Sequence, residues 1–132
     1  NKYYTFVAIA KDDGTTTLTA FNDDIKMSEP GKAKIRMINA AAGAGDLDLM
    51  AAGNKDPVFD GVDYNTVTPF KEVEPGTTTY LVKRDDNKGP TVKVPELNMR
   101  AGKAYTTIVT GRPGAMETIR FEDTMVSQTA SR

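Results

Sequence analysis

Residues 33–51 read AKIRMINAAAGAGDLDLMA, and the end of this stretch indicates most directly which kind of fold to expect. Leu47 and Leu49 alternate there with Asp46 and Asp48. Successive side chains of a β-strand point to opposite faces, so this alternation is typical of a strand with one buried face and one face in water. We therefore expect both leucines in a core and both aspartates in solvent.

The beginning of the same stretch alternates in a similar way. Ile35 and Met37 fall on one side of an extended chain, and Lys34 and Arg36 fall on the other. Together with Lys32, these basic residues fit a solvated strand face better than a nucleic-acid patch. The glycines in the middle of the stretch interrupt any helix, so the sequence predicts two strands joined by a loop.

The rest of the chain repeats this pattern of short extended segments. Threonine often occurs in runs, and β-branched residues favour strands. Clusters of Gly, Pro, Asn and Asp recur between the segments as turn signals, and helical periodicity is weak throughout. The sequence therefore predicts an all-β sandwich. Its nine predicted strands are residues 3–10, 16–22, 33–39, 46–51, 65–73, 77–84, 91–98, 104–110 and 117–122.

The composition excludes several classes of chemistry. The chain of 132 residues has no Cys, no His and no Trp, and its 17 basic side chains nearly balance 18 acidic ones. No disulfide, zinc ribbon, thiol nucleophile or histidine base is available. A nearly neutral chain offers no long-range field to nucleic acid or anionic lipid, and no apolar run is long enough for a membrane span. We expect no enzyme activity, no cofactor and no nucleic-acid partner.

Paired acidic residues are the most visible candidate chemistry. Carboxylates suit Ca²⁺ where loops bring several together, but none of these pairs has the spacing of an EF-hand. No motif supports glycoside hydrolysis by Asp48 with Glu72 or Glu117. We interpret the pairs as turn residues and solvated strand faces, and we expect no metal site and no catalytic residue. The pairs are Asp12/Asp13, Asp23/Asp24, Asp46/Asp48 and Asp85/Asp86.

Two segments of the chain resemble each other. Residues 2–7, KYYTFV, align with residues 103–108, KAYTTI, and residues 21–23, FND, align with residues 121–123, FED. The turns between the aligned blocks differ in length by one residue. One interpretation is chance similarity between two threonine-rich hairpins. The other is that both segments are the closing hairpin of the same type of domain.

The second interpretation predicts the domain organisation. Residues 33–123 then form one domain of about seven strands, residues 1–25 an N-terminal hairpin, residues 26–32 a linker and residues 124–132 a polar tail. An isolated hairpin is only marginally stable in water, so this one must pack on its own domain or complete the sheet of another chain. The apolar residues that we expect to mediate assembly are Tyr4, Phe6, Val7, Leu18 and Phe21.

Four sequence segments, in this order along the chain, indicate a known family. They are the strand–loop–strand stretch at residues 35–49, VDYNTVTPF at 62–70, EPGTTTY at 74–80 and AGKAYT at 101–106. Over about residues 33–123 the chain resembles the DUF4397 family, a domain of unknown function found in bacterial extracytoplasmic proteins and often in tandem. Asn39 stands where the family often has His, and Ala41 and Ala42 replace its Ser-Pro. The family has no established catalytic residues to carry over.

The resemblance implies an Ig-like antiparallel β-sandwich and an exported, Bacteroidota-like protein of the cell surface. We expect a structural or adhesive module, a subunit or repeat of a surface fibre or tandem-domain stalk, in which the hairpin packs with a neighbouring copy. The alternative is a monomeric carbohydrate- or protein-binding module of a surface lipoprotein. Thr124, in Asp123-Thr124-Met125, fits a pattern that resembles the Bacteroidota O-glycosylation sequon, although an ordinary strand end would read the same.

Overall fold

The computed structural model describes residues 4–10, 16–22 and 31–123. All regular secondary structure among these residues is β-strand, so the all-β prediction is confirmed for this part of the chain. No helix long and apolar enough to cross a membrane occurs among the described residues. Three features predicted from the sequence lie outside them: the acidic pairs Asp12/Asp13 and Asp23/Asp24, and Thr124.

The strands are numbered in chain order. They are β1 (Tyr4–Ala10), β2 (Thr16–Asn22), β3 (Ala33–Ala41), β4 (Leu47–Ala51), β5 (Phe59–Val62), β6 (Thr66–Val67), β7 (Lys71–Val73), β8 (Gly76–Thr77), β9 (Tyr80–Arg84), β10 (Val92–Lys93), β11 (Asn98–Met99), β12 (Ala104–Arg112) and β13 (Ala115–Asp123).

Two sheets form the body of the domain. One has five strands in the order β13-β12-β3-β6, with β7 also paired to β3, and the other has four strands in the order β10-β9-β4-β5. The hairpin β1–β2 and the short pair β8–β11 form two further, two-stranded sheets. All pairings are antiparallel except that of β3 with β12, which run parallel from Lys34 opposite Ala104 to Ala41 opposite Gly111. The body is therefore an all-β sandwich with one parallel pair.

Side chains from the two large sheets meet in a single apolar core. The alternation predicted for Leu47 and Leu49 is confirmed, because both are buried in this core. Ile35 and Met37 reach it from β3, while Tyr105 reaches it from β12. Burial of this apolar area is the main source of stability, since the described residues contain no cysteine.

Two prolines divide strands that the sequence predicted as continuous. The predicted strand at residues 65–73 is split into β6 and β7 around Pro69, and the one at residues 91–98 is split into β10 and β11 around Pro95. Proline has no backbone N–H to contribute to a sheet ladder, so pairing stops at these positions. One edge of each large sheet, formed by β6 and β7 in the first and by β10 in the second, therefore consists of short strands.

Gly111 shapes the end of the β12–β13 hairpin. Its φ is +95°, in the region that residues with a Cβ rarely adopt. A Cβ at this position would also collide with the backbone carbonyl of Ala115. The tight connection between these two strands therefore requires glycine.

Candidate functional site

The N-terminal hairpin covers the outer face of the five-stranded sheet. Val7 of β1 is buried and packs in one cluster with Ile38, Ala40 and Ile108 of the sheet. Phe121 is partly buried against the same cluster. The structure therefore has a third layer, in which the hairpin packs on the sandwich of its own chain.

The alternation of β1 divides the predicted assembly residues between two faces. Val7 points towards the sheet, whereas Tyr4 and Phe6 point away from it and are 48% and 64% exposed. Leu18 of β2 is 66% exposed. Phe21 pairs with Thr5 in the hairpin ladder, and its side chain lies outside the described residues. The structure therefore places one predicted residue in a contact within the chain and three on an exposed apolar face.

The two hairpins that resemble each other in sequence pair in the same register. Tyr4 lies opposite Asn22 in β1–β2, and Tyr105 lies opposite Glu122 in β12–β13. The sequence alignment equates Tyr4 with Tyr105 and Asn22 with Glu122, so the cross-strand pairs coincide. The one-residue difference in length falls in the turns, as the alignment predicts.

The equivalence of the hairpins also extends to their faces. Thr5 and Val7, which face the sheet, correspond to Thr106 and Ile108 on the outer face of β12. The two hairpins therefore meet through corresponding faces. By the same alignment, the exposed face of β1 corresponds to the face of β12 that lies in the core of the sandwich.

Arg36 lies where the two hairpins meet. Its Nε donates to Thr106 Oγ1 at 2.9 Å, and its Nη2 donates to Thr5 Oγ1 at 3.3 Å. Nη2 is also 3.5 Å from Asp123 Oδ1, and Thr106 Oγ1 donates to Asp123 Oδ2 at 2.5 Å. The guanidinium carbon lies 4.7 Å from the ring centroid of Phe70, a cation–π distance. The guanidinium thus links corresponding threonines of both hairpins.

The burial of Arg36 corrects the prediction of a solvated basic face. Arg36 is only 1% exposed, whereas Lys32 and Lys34 are partly exposed. Alternation within one strand shows which residues share a face but not whether another layer covers that face. A signal was nevertheless present: Ile38, on the same face as Arg36, is apolar, which is not typical of a face in water.

A second polar cluster lies on the four-stranded sheet. Carboxylate oxygens of Asp48, Asp60 and Asp85 all lie within 4.8 Å of one another. Asp48 Oδ1 accepts a hydrogen bond from the backbone N–H of Gly61 at 2.8 Å, and its Oδ2 is 3.9 Å from Lys83 Nζ. With one oxygen from each residue, the cluster offers three ligands, which is part of the shell of six to eight oxygens that Ca²⁺ takes.

The position of Asp48 corrects the prediction that both aspartates of this strand lie in water. Asp46 is exposed, but Asp48 is only 4% exposed. Burial is the largest cause that raises the pKa of Asp48, and Asp60 and Asp85 raise it further, while the Gly61 N–H opposes the shift. The pKa of Asp46 is raised mainly by its hydrogen bond with Asp63. The two aspartates thus belong to different acidic groups.

The remaining predicted acidic residues do not join one site. Asp85 belongs to the cluster with Asp48, whereas Asp86 pairs with Arg84 at 2.8 Å. Glu72 and Glu117 lie on the five-stranded sheet, so they are on a different sheet from Asp48. Sequence reasoning missed both polar clusters, because their members come together only through strand pairing and packing.

Comparison with known proteins finds one family and a distant structural relative. The family described as "Domain of unknown function (DUF4397)" matches residues 47–132. This match confirms the family that the four sequence segments predicted, for which the expected range was about residues 33–123. The match begins at β4, so β3 and the N-terminal hairpin lie before it. No curated protein matches the chain.

Among solved structures, the chain is similar to the C-terminal domain of AlgF from P. aeruginosa. The two are 20% identical, with a TM-score of 0.54. The similarity covers 70% of this chain and 99% of that one. At this identity the likeness concerns the fold alone.

Proposed function

Because the chain belongs to the DUF4397 family, which is described only as a domain of unknown function, we propose a function from the residues it presents. It is a non-catalytic structural or adhesive module of the cell surface, a subunit or repeat of a fibre or tandem-domain stalk. Neighbouring units join by β-strand packing through the N-terminal hairpin. Export and a surface location are part of this proposal.

The exposed apolar face of the hairpin is the observation that carries the proposal. Tyr4, Phe6 and Leu18 lie on the side of the ribbon that faces away from its own sheet. Ala8 and Leu18 are cross-strand partners, as are Phe6 and Ala20, so these residues form one continuous apolar strip. Contiguous exposed apolar surface is characteristic of sites of protein–protein contact.

The residue inventory supports a role without catalysis. The chain has neither the histidine nor the cysteine on which most acid–base and nucleophilic mechanisms depend. The buried carboxylate of the acidic cluster, Asp48, is held by the Gly61 N–H. The buried cation, Arg36, is likewise occupied by Thr106 and Asp123. Both polar clusters therefore support a role in holding strands together.

Self-association of the full chain tests this proposal. We expect sedimentation equilibrium to show concentration-dependent assembly, and Phe6→Lys to weaken it by about ten- to hundredfold, the equivalent of exposing one large apolar side chain. Ile119→Lys is the matched control, since Ile119 is a 52% exposed apolar residue of the body. A chain that stays monomeric up to about 1 mM, or an equal effect of both variants, would contradict copy-to-copy assembly.

A further inference from the structure

The exposed face of the N-terminal hairpin has the pattern of a core face. Tyr4, Phe6 and Ala8 correspond to Tyr105, Thr107 and Val109. These three residues of β12 are all buried. In β12–β13 this face packs on the four-stranded sheet, whereas in β1–β2 it is exposed.

The cross-strand pairs on this face are compatible with a core of the same shape. Phe6 pairs with Ala20 where Thr107 pairs with Arg120, so each pair combines a large and a small side chain in the opposite order. Ala8 pairs with Leu18 where Val109 pairs with Thr118. Core positions tolerate exchanges that keep the total side-chain volume roughly constant. The hairpin pairs are wholly apolar, whereas the corresponding pairs of β12–β13 each include a polar side chain.

The edge of the hairpin supports the same reading. Within the part of the chain that the structure describes, β1 is hydrogen-bonded in a ladder with β2 alone. The corresponding strand β12 has a second neighbour, β3, which runs parallel to it. The hairpin therefore offers both a strand edge and an apolar face that its counterpart uses to complete a sandwich.

We propose that β1–β2 is the closing hairpin of a second β-sandwich of the same family. Its partner is a unit with strands equivalent to β3–β11 and no closing hairpin of its own. In this complex β1 pairs in parallel with the β3-type strand, and Tyr4, Phe6 and Leu18 enter the partner's core. The inference rests on the proposed function and names the unit that the hairpin joins.

One contact makes the geometry specific. The hydroxyl of Tyr105 accepts a hydrogen bond from the backbone N–H of Arg100 at 2.8 Å. In the second sandwich, the hydroxyl of Tyr4 takes this role with the Arg100 equivalent of the partner. Two sandwiches would then share one hairpin interface, in which Arg36 bridges Thr5 and Thr106. Successive units would be coupled closely enough to form a stiff stalk.

A fused polypeptide tests this proposal with the full chain intact. A second copy of residues 31–101 is added directly ahead of Asn1, so that Asn1 takes the position of Gly102. Gly102 has a φ of +81°, a conformation that asparagine adopts more readily than most residues. The chain has no tryptophan, so Phe59→Trp in the added copy alone provides a specific fluorescence signal. Phe59 is suited to this because it packs at the edge of the core.

We expect the added segment to fold against the hairpin. Its tryptophan should show blue-shifted emission and a cooperative urea transition. Phe59→Trp in the chain of 132 residues serves as the folded reference. In the fusion, Phe6→Lys should abolish the tryptophan transition while the circular dichroism of the original body is retained. Tyr4→Phe should shift that transition to lower urea, and Ile119→Lys should leave it unchanged.

The outcomes separate this inference from the proposed function. Red-shifted, non-cooperative tryptophan emission in the fusion, beside a reference that folds, overturns the inference. So does a folded added segment that is insensitive to Phe6→Lys. If the chain of 132 residues still self-associates through Phe6, copy-to-copy assembly survives that failure. If the fusion folds and the chain of 132 residues is monomeric, the hairpin joins consecutive units rather than separate copies.

Discussion

Arg36 shows at the scale of one residue how a charge can be kept inside a β protein. Its guanidinium is surrounded by hydroxyl groups, the carboxylate of Asp123 and the ring of Phe70. A buried ion pair contributes little compared with an apolar pair of the same shape, because both charges lose their hydration. Its main effect is to penalise any arrangement in which one partner is missing. Arg36 therefore favours the packing of β3 against β12 and β13 in which its ion pair is complete.

The first prediction follows from this penalty. Arg36→Met should lower the free energy of unfolding by about 3–5 kcal/mol, because Asp123 is then buried without its cation. The double variant Arg36→Met/Asp123→Leu should recover most of the loss. Urea denaturation measures both, with Arg112→Met as the control at an exposed position of β12, the strand that pairs with β3. A double variant as unstable as the single one would contradict this role of the ion pair.

The second prediction concerns Asp48. Burial raises its pKa, so the folded chain binds this proton more tightly than the unfolded chain does. The contribution of this group to the free energy of unfolding is complete below the ordinary pKa of 3.8. It is lost as the pH rises through the raised pKa of the folded chain. Asp48→Asn should therefore melt higher than the natural chain at pH 7, with no difference below pH 3.8. The amide oxygen can still accept from Gly61.

Asp86 provides a control of opposite sign for this measurement. The N–H of Lys88, followed by Arg84, lowers the pKa of Asp86. Its stabilisation is present above pH 3.8 and is lost as the pH falls through the lowered pKa. Asp86→Asn should therefore melt lower than the natural chain at pH 7. Equal melting of the natural chain and Asp48→Asn at every pH would refute the role of burial at Asp48.

At the scale of the element, the N-terminal hairpin depends on its inner face. Two strands alone are marginal in water, so the contact of Val7 with Ile38 and Ile108 holds β1–β2 on the domain. Thr5 adds a polar contact to Arg36. Few apolar side chains contribute to this contact compared with the central core. The hairpin should therefore open at a lower free energy than the body unfolds.

The third prediction tests this difference. Val7→Ala should make amide hydrogen exchange in β1 and β2 about ten- to thirtyfold faster, because it removes about 1.5–2 kcal/mol of stabilisation by burial. Exchange in β4 and β9 should be unchanged. Phe6→Ala is the matched control, since Phe6 lies on the opposite face of the same strand and should leave exchange in a monomeric sample unaltered. Equal acceleration in both variants would argue against docking through Val7.

The fourth prediction concerns the turn of the C-terminal hairpin. Gly111→Ala should destabilise the domain by more than about 1–2 kcal/mol, because a positive φ and a collision with the Ala115 carbonyl combine there. Gly114→Ala is the comparison, since Gly114 has a φ of +81° and open space around its missing Cβ. Thermal unfolding should rank Gly111→Ala as the less stable variant. The reverse order would show that the collision is relieved without cost.

At the scale of the whole molecule, local sequence patterns predict where the strands lie better than they predict what covers each face of a strand. The alternation at Leu47 and Leu49 identifies the core face correctly, because a period of two is a property of the strand itself. The same alternation places Arg36 and Asp48 in water, and both are buried. A covering layer and neighbouring carboxylates come from distant parts of the chain. The repeat between the two hairpins does carry non-local information, and it predicts their matching register.

The parallel pairing of β3 with β12 joins distant parts of the chain. Arg36 and its partner Thr106 are 70 residues apart, and such distant pairing makes folding slow. During synthesis from the N-terminus, β3 emerges before its partner β12. The strand β1, which resembles β12, has been synthesised by then and could pair with β3 in its place. In a nascent chain, β1 can therefore compete with β12 for pairing with β3. In the arrangement that we propose, β1 pairs instead with the β3-type strand of a second unit, so it does not compete with β12 for the β3 of its own domain.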